Sequence, residues 1–155
     1  MLIPRVFSFL TDCDLIWHAG DIGNIETLEK LEAFKPLTVV YGNIDDHKVR
    51  AACKEAAVFW CENVKVAMLH IGGYPGRYTP QARAIIKQHQ PKLLIAGHSH
   101  ILKVIYDQKN KLLYINPGAA GNHGFHQMIT AVKFIIDGDQ IRDLEVLELT
   151  RKGQH

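Results

Sequence analysis

Four short, largely apolar runs in this sequence each stop at a polar residue that could bind a metal or a phosphate. The runs occupy residues 16–19, 39–41, 66–69 and 94–96, and each lies within a longer segment that reads as a strand. The polar residues that follow them are Asp21, Asn43, His70, His98 and His100. Ligands of open α/β sheets bind outside the carboxyl ends of the strands, so these side chains are predicted to share one pocket.

Strand-like and helix-like segments alternate over the first two thirds of the chain. Helices are predicted over residues 4–10, 25–34, 47–53 and 80–89, with Asn24 and Thr79 as caps. Strands are predicted over residues 15–19, 37–41, 64–70 and 92–96, and then over 103–106, 111–115, 130–136 and 140–149. This order predicts an α/β domain with a mixed sheet, or two stacked sheets flanked by helices.

The composition narrows the class of protein. A length of 155 residues suits a single domain over residues 1–155, and 47% hydrophobic with 22% charged residues is typical of a globular chain. A net charge of +2 argues against dedicated nucleic-acid binding, and no apolar run is long enough to span a membrane. Three cysteines without C-x-x-C spacing, and no signal-peptide layout, predict a cytoplasmic protein.

The residue types at the strand ends favour a metal. Carboxylate and amide oxygens with imidazole nitrogens suit Mn²⁺, Fe²⁺ or Zn²⁺ better than copper or an iron–sulfur cluster. His98 and His100 would point to the same side if the chain is extended there. Each residue also has a structural alternative: Gly-Asp and Gly-Asn are turn dipeptides, and His70 could be an interior histidine. His18 could orient a ligand or serve only the fold.

With these residues in view, the sequence resembles the calcineurin-like metallophosphoesterases, in particular the small bacterial and archaeal phosphodiesterases. The matching motifs are G-D at 20–21, G-N-x-D at 42–45, His70 and G-H-S-H at 97–100. The resemblance implies a four-layer αββα sandwich of two mixed sheets and hydrolysis of a small phosphoester, preferably a diester, by a metal-bound hydroxide at a two-metal site. The implied ions are Mn²⁺ first, with Fe, Zn²⁺ or Ni²⁺ as alternatives.

The resemblance also implies roles for single residues. Asp21 would bridge two metals, while Asn43, His70 and His98 would complete one of them and His100 would bind the other. Two residues would be catalytic: Asn43 by orienting the phosphate oxygens, and Asp45 by assisting the leaving group. The turn at 116–118 would lie near the pocket.

One departure changes what is expected of the chain as written. Relatives begin with a strand ending in D-x-H that holds the first metal, and the only D-x-H here, at 45–47, lies in the wrong place. One well-held ion, impaired hydrolysis and a gap in the sheet are therefore expected, with self-association as one way to fill the gap. A mis-assigned start or a true truncation would explain the departure. The alternative function is a non-catalytic scaffold for protein partners, as in the retromer subunit of this superfold.

The loop at 72–78 is the remaining candidate for substrate contact, because it directly follows His70. Its Tyr74, Arg77 and Tyr78 could contact an ester group or a base, or they could form a plain surface loop.

Overall fold

The computed structural model describes residues 4–121 and 128–150 of the chain. Its helices are α1 (Pro4–Phe9), α2 (Ile25–Phe34), α3 (His47–Ala52) and α4 (Pro80–His89). Its strands are β1 (Ile16–His18), β2 (Leu37–Val39), β3 (Ala56–Cys61), β4 (Val64–Leu69), β5 (Leu93–Ala96), β6 (Lys103–Asp107), β7 (Leu112–Asn116), β8 (Met128–Asp137) and β9 (Gln140–Thr150).

Five strands form one continuous mixed sheet in the order β3-β4-β5-β7-β6. The inner strands β4, β5 and β7 are parallel, and the edge strands β3 and β6 pair antiparallel with their neighbours. β3 was not predicted from the sequence, because its run shows no clear alternation. It forms a hairpin with β4 through a two-residue turn in which Glu62 adopts a positive φ of 52°.

The second β layer consists of two separate pairs within the described ranges. β1 and β2 form a parallel pair, and β8 and β9 form an antiparallel hairpin that turns at Gly138, where φ is 62°. Both pairs cover the same face of the five-stranded sheet. The buried cluster between the layers comprises Ala19, Val40, Ala57, Val64, Val66, Met68, Leu93, Ile95 and Ile115, and Trp17, Phe134 and Ile136 pack against it.

Helices cover the two outer surfaces of this double β layer. Ala82 and Ile86 of α4 pack on the other face of the five-stranded sheet, against residues such as Leu94. Leu28 of α2 and Val49 of α3 pack on the outer face of β2. The expected α/β class, with two β layers between helices, is thus confirmed.

Short capping motifs set where the helices begin. Asn24 accepts a hydrogen bond from the Thr27 amide, and Thr79 caps α4 one residue before Pro80, as predicted. Asp46 caps α3 in the same way. Among the described residues, no helix is long and apolar enough to cross a membrane.

Candidate metal centre

The carboxyl ends of four strands meet at one edge of the double β layer. Asp21 and Asn43 lie in the loops after β1 and β2, which run parallel to each other. His70 follows β4 directly, and His98 and His100 follow β5, the parallel neighbour of β4. The topology therefore brings all five predicted ligands to one place.

The side chains of these residues approach each other at hydrogen-bond distances. His70 Nε2 lies 3.2 Å from Asp21 Oδ2 and 2.9 Å from Asn43 Oδ1. His98 Nδ1 lies 3.1 Å from the same Asn43 oxygen, and His100 Nε2 lies 3.8 Å from Asp21 Oδ2. His98 thus groups with Asn43 and His70, whereas His100 groups with Asp21.

His70 is the buried centre of this cluster, with 5% of its surface exposed. Its Nδ1 lies 2.7 Å from the carbonyl oxygen of Ala19, which can only accept, so Nδ1 carries the proton. Its Nε2 then faces two oxygens, which requires either a second proton or a cation at that position. Burial lowers the pKa of His70, but the hydrogen bonds to Asp21 and Ala19 outweigh it and leave this pKa above its usual value.

Asp21 is held in its ionised form. Burial raises the pKa of this carboxyl, but the hydrogen bonds from His70 and from the backbone N–H of Ile44 outweigh burial and lower the pKa below its usual value. The Ile44 amide donates to Oδ1 over 3.2 Å, which leaves Oδ2 directed at the two imidazoles. An ionised carboxylate in this position can interact favourably with two neighbouring positive charges.

Three of the five candidate ligands have left-handed backbone conformations. The φ angles are 59° at Asp21, 70° at His98 and 61° at His100. The chain is therefore not extended at His98 and His100, so the condition for their side chains to point to the same side is not met. Left-handed conformations are unfavourable for residues that have a Cβ. They cluster at functional sites, where the surrounding structure enforces them.

Glycines allow the loops to approach the ligands closely. A Cβ at Gly42 would lie 2.0 Å from Asp21 Oδ1, and a Cβ at Gly20 would lie 2.5 Å from His70 Nδ1. Gly20 also has a φ of 105°. Gly20 thus makes room for His70, and Gly42 makes room for Asp21.

Asp45 fixes the two loops that carry Asp21 and Asn43. It is 4% exposed, and its Oδ2 accepts hydrogen bonds from the backbone amides of Asp21 (3.0 Å) and Gly42 (2.8 Å). Its Oδ1 accepts from the amide of Gly23 over 3.0 Å. These contacts do not match the predicted role beside a leaving group, because both oxygens are occupied by backbone donors. Asp45 positions the site instead.

Two further positioning residues support the ligand loops. Arg50 was not predicted: its guanidinium donates to the backbone carbonyls of Asp45 (2.9 Å) and Asn43 (3.2 Å). Asn116, predicted only as part of a turn near the pocket, donates from Nδ2 to the carbonyl of Gly97 (3.1 Å) and to Ser99 Oγ (3.0 Å). No sequence signal marks Arg50, since its contacts depend on how α3 docks.

His18 lies beside the centre without joining it. Burial lowers its pKa to about 4, so the ring is neutral at pH 7. Its Nδ1 accepts a hydrogen bond from the backbone N–H of Gly20 over 3.2 Å, next to Asp21. His18 therefore shapes the loop that carries a ligand.

Several other sequence candidates do not reach the centre. Tyr78 turns into the core, where its hydroxyl donates to Asp107 Oδ2 over 2.8 Å. Tyr74 is exposed beneath the ammonium group of Lys103. His123, His126 and His155, which the sequence predicts only as surface or local contacts, lie outside the described residues.

The donor set fits a divalent cation. Tetrahedral donors about 2.0–2.2 Å from one ion are about 3.5 Å apart. His70 Nε2 lies at similar distances from Asn43 Oδ1 (2.9 Å) and Asp21 Oδ2 (3.2 Å). Among the described residues, no group of three or more His, Cys, Asp and Glu side chains could hold a metal ion. Such groups do not include the Asn43 amide. A three-ligand site built from these side chains would therefore need Asn43 as one of its ligands.

Comparisons with known proteins agree with this fold. The family model of the calcineurin-like phosphoesterase superfamily domain matches residues 1–139. The chain therefore belongs to the calcineurin-like phosphoesterase superfamily.

Two curated archaeal relatives carry the name probable metallophosphoesterase. The relative from Methanothermobacter thermautotrophicus is 31% identical over 118 residues, which cover 76% of this chain and 67% of that protein. The relative from Methanocaldococcus jannaschii is 29% identical over 119 residues, covering 76% of this chain and 59% of that protein. The chain thus spans about three fifths to two thirds of their length.

Solved structures share the fold at low sequence identity. An archaeal phosphodiesterase matches with a TM-score of 0.72 and 17% identity, over 92% of this chain and 90% of that chain. Vps29 from Chaetomium thermophilum matches with a TM-score of 0.72 and 14% identity, over 97% and 88%. Vps29 complexed with Zn²⁺ from Entamoeba histolytica matches with a TM-score of 0.71 and 21% identity, over 96% and 90%.

Proposed function

We propose that this protein is a metal-dependent phosphoester hydrolase acting on a small phosphodiester. The supporting observation is His70, whose Nε2 faces both Asp21 (3.2 Å) and Asn43 (2.9 Å) while its Nδ1 is fixed by the Ala19 carbonyl. This arrangement calls for positive charge between an imidazole and two oxygens. Membership of a phosphoesterase superfamily supports the same chemistry.

Asn43, His70 and His98, together with Asp21, would hold one divalent ion. Asp21 and His100 would offer two ligands to a second ion, which makes the first site the stronger one. A bound ion would supply an activated water and neutralise charge on the phosphate. Mn²⁺ is the proposed ion, because oxygen and imidazole donors without thiolate suit it; Fe, Zn²⁺ and Ni²⁺ suit the same donors.

Asn43 can also bind substrate in this proposal. Its Oδ1 faces the two imidazoles, so its amide nitrogen is left to donate to a phosphate oxygen. Asn43 and His98 are both exposed, which gives an entering phosphoester access to them. Asp45 and Arg50 take no part in the reaction and keep the Asn43 loop in position.

The proposed domain extent, compartment and partners follow from the amino-acid composition of the chain. We take residues 1–155 as one domain acting in the cytoplasm on a small phosphoester, without membrane or nucleic-acid partners. Self-association is proposed as a way to complete the second β layer.

The test combines metal content with turnover. Purified protein incubated with Mn²⁺ should retain about one ion per chain by elemental analysis, and it should hydrolyse bis(p-nitrophenyl) phosphate slowly. The Asp21→Ala variant should lose both properties, whereas His89→Gln, at the far end of α4, should keep both. Turnover no faster than that of Asp21→Ala would contradict the proposal.

A second candidate is a scaffold that binds protein partners without catalysis. The likeness of the fold to Vps29 chains at a TM-score of 0.72 supports it. So does the edge strand β6, where Ile105 is 45% and Tyr106 is 56% exposed. Metal binding without turnover, together with loss of partner binding on Tyr106→Glu, would favour this candidate.

A further inference from the structure

The strand β6 forms an edge of the five-stranded sheet and lies open to solvent. Among the described strands it has only β7 as a neighbour. Val104 is 39% exposed, Ile105 is 45% exposed and Tyr106 is 56% exposed. At the other edge of the same sheet, Trp60 is the only exposed residue of the six in β3. The sheet therefore has one largely covered edge and one open, apolar edge.

Nothing within β6 itself protects this edge against pairing with another chain. Native proteins commonly protect an edge strand with proline, a β-bulge or charged side chains. The sequence of β6 is Lys-Val-Ile-Tyr-Asp, which contains no proline, and its register against β7 has no shift. Its two charges have opposite signs and lie at opposite ends of the strand. They would repel a parallel second copy, whereas they attract an antiparallel one.

The direction of the backbone groups of β6 follows from the pairing of β7. The amide of Leu113 in β7 donates to the carbonyl of Lys92, directly before β5, so Leu113 points toward β5. Backbone groups alternate between the two sides along a strand, so Tyr114 points toward β6. The register partner of Tyr114 is Ile105, which therefore points back toward β7. The N–H and C=O groups on either side of Ile105 are directed away from β7, toward solvent.

Two copies of this edge complement each other when they run antiparallel about Ile105. Val104 of one copy then lies opposite Tyr106 of the other, and each of the two such pairs exchanges two backbone hydrogen bonds. The two Ile105 side chains meet at the two-fold axis. Lys103 of each copy lies opposite Asp107 of the other.

The side chains of Lys103 and Asp107 lie on the same face of the sheet. Residues two apart along a strand share a face, and this is the face that α4 covers. The Asp107 carboxylate accepts a hydrogen bond from the Tyr78 hydroxyl there over 2.8 Å, which fixes it in place. The Lys103 ammonium lies 4.7 Å from the centre of the Tyr74 ring, and the Lys103 side chain is exposed. The long lysine side chain of one copy can therefore approach the fixed carboxylate of the other.

We propose that two copies of this chain associate through β6, so that their five-stranded sheets join into one continuous sheet. A contact of one short strand per copy is small, so the dimer is weak and depends on concentration. This contact is separate from the second β layer, and the proposal stands whether or not the metal centre is catalytic.

The two metal centres remain open in this dimer. Lys103 pairs with Asn116, at the carboxyl end of β7, so the metal centre lies near the Lys103 end of β6. Because the two β6 strands are antiparallel, the two centres lie at opposite edges of the joined sheet. Metal binding should therefore be the same in the monomer and the dimer.

Disulfide formation tests the register. The Cα atoms of a non-hydrogen-bonded antiparallel pair are about 4.5 Å apart, a distance that a disulfide spans. Ile105→Cys should therefore oxidise to an intermolecular dimer, measured by non-reducing electrophoresis. Val104→Cys should do so about tenfold more slowly, because its two copies are about 8 Å apart in this register. The unaltered chain, in which Cys13, Cys53 and Cys61 are partly buried, is the control for the native thiols.

Sedimentation velocity tests the charge pair. The dimer fraction of the unaltered chain should rise between about 10 and 500 μM. Lys103→Glu places like charges opposite each other twice and should weaken association about tenfold. Lys30→Glu, an equal charge change on the exposed side of α2, should leave association unchanged. Mn²⁺ binding measured by calorimetry should be the same in both variants.

Three outcomes would overturn the proposal. The first is a monomer over the whole concentration range. The second is cross-linking of Val104→Cys as fast as that of Ile105→Cys, which would exclude the register. The third is a dimer that Lys103→Glu does not weaken, which would place the contact on another surface, such as the second β layer.

Discussion

The two β layers of this protein differ in completeness. The five-stranded sheet is one uninterrupted ladder, and its parallel strands β4 and β5 are almost wholly buried. The facing layer has two pairs that share no ladder, and β1 and β2 are three residues long. The three imidazoles follow strands of the complete sheet, whereas Asp21 and Asn43 follow strands of the short pair.

This difference shows which contacts hold each part of the candidate site in position. The complete sheet fixes His70 by backbone pairing on both sides of β4. The short pair has too few ladder bonds to fix its loops, and Asp45 supplies the additional bonds through three backbone amides. The two predicted oxygen ligands therefore depend on one buried carboxylate, and the predicted nitrogen ligands depend on the sheet.

The largest expected effect comes from removing that carboxylate. Asp45→Ala leaves three amides without their partner and should lower the free energy of unfolding by about 3 kcal/mol or more. Urea denaturation measures the change. Asp46→Ala, which removes only the α3 cap, is the control and should lower it by about 1 kcal/mol. Equal losses in the two variants would show that Asp45 is an ordinary loop residue.

Completing the weaker layer should raise turnover. A version extended at its N-terminus by an apolar strand ending in Asp-x-His should hydrolyse bis(p-nitrophenyl) phosphate with Mn²⁺ about a hundredfold faster, equivalent to about 2.7 kcal/mol of barrier. It should also melt at a higher temperature and self-associate less. An Asp21→Ala change in the extended version is the control. Equal rates with and without the extension would contradict the expectation.

The imidazoles of His98 and His100 should differ in their effect on metal affinity. His98 lies near the amide of Asn43, and His100 lies at the longer distance of 3.8 Å from Asp21. His98→Ala should weaken Mn²⁺ binding by about tenfold or more, measured by calorimetry, and His100→Ala should weaken it less. Equal losses would mean that the two histidines serve one ion alike.

A smaller effect is expected in the complete sheet. Tyr78→Phe removes a buried hydrogen bond to Asp107 and should lower the free energy of unfolding by about 1–2 kcal/mol. Tyr106→Phe, on the exposed edge strand β6, is the matched control and should leave stability unchanged. Metal binding should remain unchanged in both variants, because neither hydroxyl contacts a ligand.

The smallest expected effect is a dependence of stability on pH. Burial raises the pKa of Asp107, but hydrogen bonds from Asn110 and Tyr78 outweigh it and lower this pKa below its ordinary value. The carboxylate therefore adds stability above the unfolded pKa of about 3.9, and this stability is lost as the pH falls through the lower folded pKa. Urea midpoints for Asp107→Asn should fall less steeply between about pH 4.5 and 2.5 than those of the native protein.

Much of the architecture could be predicted from local patterns. The caps at Asn24 and Thr79 were predictable because a cap bonds within its own helix turn. β3 was missed because Ala56–Cys61 lacks a period and acquires its strand conformation by pairing with β4. The convergence of the five ligands was predictable because each follows a strand, and parallel strands end at one edge.

The sequence by itself determined the alternation of helices and strands, the family motifs and the donor types, because periodicity and short motifs are local properties. Only the tertiary structure decided that Asp45 bonds the amide of a residue 24 positions away, and that Arg50 supports the Asn43 loop. It alone placed an apolar cavity between β1 and β8. These features depend on which distant groups meet when the layers pack, and a hydrogen bond between distant loops leaves no spacing in the chain from which it could be read.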